Sequence, residues 1–396
     1  MVTITAYFSY KIASTLMPKK VALWISLSCV ALLSLFGSLQ GVMSEHICVA
    51  FFVPGLYILI TKKNNRWFLL SGILMGVSVM VKLNMAFPIL TVGLYLFFEM
   101  LLKRNGIGFS NILFFLIGIL VAILATILPY YDTGELLVWW ESVVLAPLEY
   151  TEARRYPILK LAPIFVLIGL FLLYARKTKR LDFKDRTIQI LLVAVCGVLI
   201  SFIKGGRING HYLIQLHPLL LVLVGVVVFN LVEQYRPKLP KVLVLLFLMA
   251  LPVESYMEYW NIVENKNERN TFFNGEGFSV PKYIKDHRLD TENILFFEYH
   301  IGYWNLETLP PTTAATHPSN ICRDELYPFF DNPRKNSIAE LKYILEVLKP
   351  KTIIVRNGKR IFDKKEIEEN AYLDTYLEKH YRVLDTVENA GILQRL

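Results

Sequence analysis

The sequence predicts an α-helical polytopic membrane protein of about ten transmembrane helices with an external C-terminal α/β domain, and three observations carry that reading. Of 396 residues, 54% are hydrophobic and 19% charged, with mean hydropathy +0.43. Soluble domains do not tolerate such a balance. Apolar runs recur along 1–257, with basic residues gathered in alternate connections. From residue 258 the composition turns to mixed charge with strand and helix periodicities. The formal charge of +9 does not indicate a nucleic-acid partner: up to residue 256 there are 23 Lys+Arg against 11 Asp+Glu, and beyond it 19 against 22. The excess sits wholly in the membrane half, where it reads as topology.

In chain order the apolar segments fall near 2–16, 21–40, 47–61, 67–81, 84–102, 110–130, 158–175, 187–203, 211–231 and 241–257. A perpendicular crossing needs about 20 residues, so the shorter runs need flanking residues to complete them. Lys19/Lys20, Lys62/Lys63/Arg66, Lys103/Arg104, the group from Arg176 to Arg186, and Arg236/Lys238/Lys241 share one side. The positive-inside rule makes that side cytoplasmic. The opposite connections hold only Lys82, Arg154, Arg155, Lys160, Lys204 and Arg207. Parity then puts 258–396 outside, in a periplasmic or extracellular position on a plasma-membrane protein, and the N-terminus outside too. The opening "VTITAYFSYKIASTLM" lacks the charged n-region and cleavage site of a signal peptide.

Within 258–396, "NILFFEY", "KTIIVRN" and "YRVLDTV" read as strands, and "SIAELKYILEVLK" and "KKEIEENAYLDTYLEKHY" as amphipathic helices. "LPPTTAATHPSNICRDELYPFF", which contains His317, reads as a structural loop. Cys29, Cys48, Cys196 and Cys322 have neither metal-site spacing nor a disulfide framework. The chain has no GxxxxGK[ST] phosphate loop, no HExxH and no repeat period.

The candidate chemistry lies on the outer side. "KGGRINGHYLIQLHPLLLVLVG" sets Lys204, Arg207, His211 and Tyr212 at the mouth of an apolar helix. Compartments outside the membrane lack nucleotide sugars, so group transfer there draws on lipid-carried donors whose phosphate sits at headgroup level. Fixed cations and hydrogen-bond donors at outer helix ends suit such a leaving group. If the helix begins early, Arg207 and His211 share a face. The competing reading makes all four ordinary interfacial anchors. Lys82, in a very short outer connection, fits either phosphate binding or snorkelling. Glu45 and His46 suit a divalent metal or the orientation of an acceptor hydroxyl, against a plain capping role at an exposed turn. The loop 130–157 carries Trp139, Trp140, Glu141, Arg154 and Arg155; it is suited to covering a lipid donor and stacking a sugar ring, while an aromatic belt alone accounts for its tryptophans. His217, inside the apolar run, reads as a satisfied buried imidazole.

These stretches resemble a known family. "GGRINGHYLIQLHPLLLVLVG" resembles the late-helix signature of polytopic GT-C glycosyltransferases related to protein O-mannosyltransferases and the aminoarabinose transferase. "SEHICVAFFVPGLYILI" is similar to the family's helix with an acidic residue at its outer start, and "WFLLSGILMGVSVMVKLNMAFPIL" to its GxxxGxxxxxK helix pair, with Lys82 at the outer turn. "VPKYIKDH" through "AELKYILEVLKPKTIIV" is similar to the external domain of bacterial members. The resemblance implies a membrane glycosyltransferase that takes a sugar from a polyprenyl-phosphate donor to a lipid, glycan or protein acceptor. It also implies an acidic residue in the first external loop as base or metal-binding group. The chain starts at what looks like the family's second span, so that acid has no counterpart, and Glu45 is the nearest substitute. An in-frame upstream segment with one span and an acidic loop is the corresponding expectation. A lipid-linked glycan flippase or polymerase, or an inactive truncated subunit, are the alternatives; spans nearly free of ionisable residues count against transport.

Overall fold

The computed structural model describes residues 1–36, 43–153, 158–206, 209–235, 240–330 and 333–396. The chain divides into two compact units, Met1–Val144 with Arg154–Tyr259, and Leu145–Ala153 with Trp260–Leu396.

The first unit is helical: α1 Val2–Ala13, α2 Lys19–Leu33, α3 Ser44–Thr61, α4 Asn65–Val81, α5 Ala86–Leu101, α6 Phe109–Asp132, α7 Leu136–Trp140, then, after α8 Ala146–Ala153 of the second unit, α9 Ala162–Lys177, α10 Arg186–Gly205, α11 His217–Tyr235, α12 Lys241–Ala250 and α13 Val253–Arg269, whose last residues enter the second unit. Among the described residues five helical stretches are long and apolar enough to cross a bilayer: Ser44–Thr61, Leu83–Leu101, Phe109–Asp132, Arg186–Gly205 and His217–Tyr235. α12 and α13 form a further candidate, bent by 57° at the break before Val253. By length and composition these helices are consistent with a multi-pass helical membrane protein. Each apolar segment read from the sequence contains a helix, but α1, α2, α4 and α9 span only 12, 15, 17 and 16 residues.

Lipid gives helices no hydrophobic reason to associate, so small residues and interhelical hydrogen bonds hold them together. Gly72 and Gly118 show the first device. A Cβ on Gly72 would meet the backbone of Phe115, and one on Gly118 would lie 2.9 Å from the Gly72 Cα, so α4 and α6 touch through bare backbone. The second device joins α3 to α4: Ser71 Oγ donates to Gly55 O and Ser78 Oγ to Cys48 O, each at 2.9 Å. Such bonds contribute about 0.6 kcal/mol each. Asn111, in the first turn of α6, donates to Lys63 O at 2.8 Å and Asn65 Oδ1 at 3.0 Å, fixing α6 to the α3–α4 turn.

At the basic end a buried polar network ties three helices. Glu99, 3% exposed at the end of α5, accepts from Arg186 Nε at 2.8 Å and Nη2 at 2.9 Å. Arg186 Nη1 donates to Leu59 O at 2.9 Å and Ile60 O at 3.2 Å, two carbonyls in the last turn of α3. The sequence reading counted Arg186 among the loop cations; it is instead the partner of a buried acid.

The second unit carries a four-stranded mixed sheet in the order β1-β2-β4-β3. β1 is Leu295–Phe296, β2 Thr352–Arg356, β3 Tyr381–Val387 and β4 Ala390–Arg395, with β1 parallel to β2 and the remaining pairs antiparallel. Helices α14 Glu276–Asp286, α15 Gly302–Leu306, α16 Pro318–Ile321, α17 Ser337–Lys342 and α18 Ile367–His380 complete it. Ile353, Leu393, Leu341, Ile344 and Leu373 lie in the core on one side of the sheet, and Val280, Ile284, Ile354 and Ile392 on the other. The first predicted strand shrinks to two residues, and "SIAELKYILEVLK" divides into α17 and the π-helical Tyr343–Leu348. Strand β4 was not anticipated. His317 caps α16, its Nδ1 accepting from Ser319 N at 3.2 Å.

Candidate functional site

Four of the residues singled out from the sequence meet at one end of the first unit. The first turn of α3 supplies Glu45, the residue following α4 supplies Lys82, and the 3-10 segment Gly210–Gln215 supplies His211 and Tyr212. Connectivity puts this end opposite the basic connections at 62–66 and 103–104.

Glu45 is fully buried at 0% exposure, so it is not a cap at an exposed turn. Its Oε1 pairs with the Lys82 ammonium, and its Oε2 accepts from Ser44 Oγ at 3.1 Å. His211 Nε2 lies 3.7 Å from the same Oε1, within ion-pair reach though beyond a hydrogen bond. Lys82 Nζ also sits 4.4 Å from the centre of the Tyr212 ring, and that ring meets His211 edge-on at 4.8 Å. A cation over an aromatic face gains about 0.5–2 kcal/mol, more as water is excluded. The carboxylate is thus the innermost member, while the side chains of Lys82 and His211 keep 18% and 26% of their surface open. Behind them Asn84 Nδ2 donates to the buried Gln215 Oε1 at 3.3 Å, tying the segment after α4 to that before α11. Burial, with the Lys82 ammonium adding to it, pushes the His211 imidazole below its ordinary value, and the Glu45 carboxylate opposes the shift. His211 is therefore neutral at pH 7.

No contact between these four and Lys204, Trp140 or Glu141 is seen among the described residues. Lys204 is exposed in the last turn of α10. Trp140 is 48% exposed at the end of α7, Glu141 is partly buried in the π-helical turn that follows, and Trp139 is buried. Arg154, Arg155 and Arg207 lie outside the described residues. The α-helical face expected to pair Arg207 with His211 is not available, because His211 stands in a 3-10 turn and α11 begins only at His217. Pro218 accounts for that start: it lacks an N–H, which costs nothing in a first turn and breaks a helix interior. His217 is not the satisfied imidazole expected, since its buried Nδ1 finds no hydrogen-bond partner among the described residues.

The metal reading of Glu45 and His46 finds no donor set. Lys82 and Ser44 occupy the Glu45 carboxylate, and His46 Nε2 lies 2.8 Å from Leu33 O. Among the described residues no three His, Cys, Asp or Glu side chains are grouped to hold a metal. Sequence reasoning missed Ser44, Asn84 and Gln215, whose only signal was proximity to charged positions at helix ends. Comparison with protein-family models, with curated proteins and with solved structures finds no match.

Proposed function

We propose that the chain is a membrane glycosyltransferase of GT-C type, taking a sugar from a polyprenyl-phosphate donor at the outer face. The observation that carries this reading is the meeting of Glu45, Lys82, His211 and Tyr212 at the helix end opposite the basic connections. The arrangement supplies a base and a cation at headgroup depth. In this reading an acceptor hydroxyl oxygen bonds to the anomeric carbon of the donor sugar. The bond from that carbon to the phosphate oxygen breaks, and its electron pair leaves on the phosphate. His211 takes the hydroxyl proton, because it is neutral and open where Glu45 is closed off. Glu45 compensates the positive charge of the imidazole once protonated, acting through it rather than on substrate. Lys82 keeps a positive field at the leaving phosphate, with Lys204 and Arg207 as further cations. Trp140, Glu141, Arg154 and Arg155 belong to the substrate-covering loop. Ten crossings, with the short helices counted, and an external second unit in a plasma membrane are part of the same reading. The bond from Ser255 Oγ to Ser34 O at 2.6 Å supports it, since it brings the first turn of α13 to the end of α2 nearer the site.

Binding tests the phosphate directly. In lipid nanodiscs, long-chain polyprenyl monophosphate should bind at least tenfold more tightly than polyprenol of the same length. The charge-free pair Glu45→Leu/Lys82→Met should reduce that ratio toward one. Equal affinity of the parent chain for phosphate and alcohol would remove the reading.

The lowered His211 value sets a pH dependence. A base must be unprotonated, so turnover should be level above pH 6.5 and fall in acid, with its midpoint below the ordinary histidine value. Folding stability follows the same sign: below pH 6.5 the unfolded chain binds the proton more readily, so stability declines there. A His211→Asn chain should lose the acid limb together with most of its rate. An unchanged profile would reassign the base.

A further inference from the structure

None of the ten residues of α12 is buried, yet this helix runs beside α2. Lys241 opens α12 on the wall of a crevice shared with Lys20 of α2, and past the end of α12 Ser255 of α13 bonds to Ser34 O at 2.6 Å. Here α2, α11 and α12 leave a crevice of about 410 Å³, walled by Trp24, Ile25, Phe229 and Val244. Lys20 and Lys241, each the first or second residue of its helix, stand at the basic end of this crevice, and no carboxylate lines it among the described residues.

We propose that this crevice binds an anionic phospholipid, with an acyl chain between the three helices and its phosphate on the two ammonium groups. Close-packed matter is the rule inside and beside proteins, and an apolar gap facing lipid fills with hydrocarbon. Charge decides the headgroup, since two lysines without a neighbouring acid at the basic face attract anionic lipid. The lipid would hold α12 to the bundle where protein contacts do not. The proposal is independent of the outer site, which lies at the opposite helix ends.

The test is native mass spectrometry of the full chain released from detergent, after titration with dioleoyl phosphatidylglycerol, dioleoyl phosphatidylcholine or glycerol 1-phosphate. Phosphatidylglycerol should form a one-to-one adduct that phosphatidylcholine forms far more weakly. Each lysine near the surface contributes about fivefold, so Lys20→Gln/Lys241→Gln should weaken the adduct about 30-fold. Val244→Trp, which fills the crevice and keeps both lysines, should abolish it. Equal binding of the two lipids overturns the proposal. So does competition by glycerol 1-phosphate alone, which would mean phosphate recognition without a chain. An adduct indifferent to both variants, or a second copy of the chain in place of lipid, overturns it as well.

Discussion

Lys82→Met alone should destabilise the chain by about 3–5 kcal/mol, and adding Glu45→Leu should return most of that loss. The asymmetry follows from burial. Among the described residues Glu45, at 0% exposure, has Lys82 as its ion-pair partner and Ser44 as its one neutral side-chain donor, with His211 uncharged at neutral pH. Removing the ammonium leaves a buried carboxylate without its counter-charge, whereas removing both charges leaves an apolar contact between α3 and the end of α4. The readout is thermal unfolding in detergent, followed by a thiol-reactive dye at Cys29 and Cys48, both buried at 0% exposure. A Lys82→Met chain as stable as the parent would show that Glu45 does not depend on this cation. The rescued double variant also separates roles: it should be folded and still fail to distinguish polyprenyl phosphate from polyprenol.

The composition was sufficient for the class, because lipid imposes one requirement on every crossing helix and the apolar runs answer it. Helix boundaries were less legible. The run 2–16 continues apolar through Leu16, but α1 stops at Ala13, in a turn that leads to Pro18. The run 211–231 had its correction in view: Pro218 belongs in a first turn, so the residues before it could not continue the same helix. In the second unit, the hairpin partner β4 follows β3 across Glu388 and Asn389, and Glu388 takes φ 55°. "ENAG" was the available turn signal. "AGILQR" shows no period-2 alternation, and it forms a strand that is buried over its first four residues.

The site was legible as separate candidates and not as a cluster. Glu45, Lys82 and His211 each stood out because charge is rare on that side of the chain. What one dimension withheld was depth: which of them is innermost. A carboxylate nominated for direct chemistry proves to be shielded by the two residues expected to bind phosphate. Their order follows from α3, α4 and the 3-10 segment converging, through contacts such as Asn84 with Gln215, which are 131 residues apart in sequence.

At the opposite end, Arg186→Met should cost about 3–5 kcal/mol, more than Glu99→Gln. Both side chains belong to one pair, but their surroundings differ. Without Arg186, Glu99 remains 3% exposed with Tyr95 and Asn105 as its donors among the described residues, and the carbonyls of Leu59 and Ile60 lose the cation at the negative end of α3. Without the Glu99 charge, the Arg186 side chain keeps 21% of its surface open and retains both carbonyls. Arg186→Lys should fall between the two, because one ammonium cannot reproduce a fork that serves a carboxylate and two carbonyls together. The order Arg186→Met, Arg186→Lys, Glu99→Gln, from most to least damaging, is what the same unfolding assay should return. Polyprenyl-phosphate affinity of the surviving folded fraction should be unchanged in all three, since the pair lies at the far end of α3 from Glu45. A variant that unfolds normally but loses that affinity would mean the two ends are coupled through α3, and that Arg186 holds the position of Glu45 as well as the stability of the bundle.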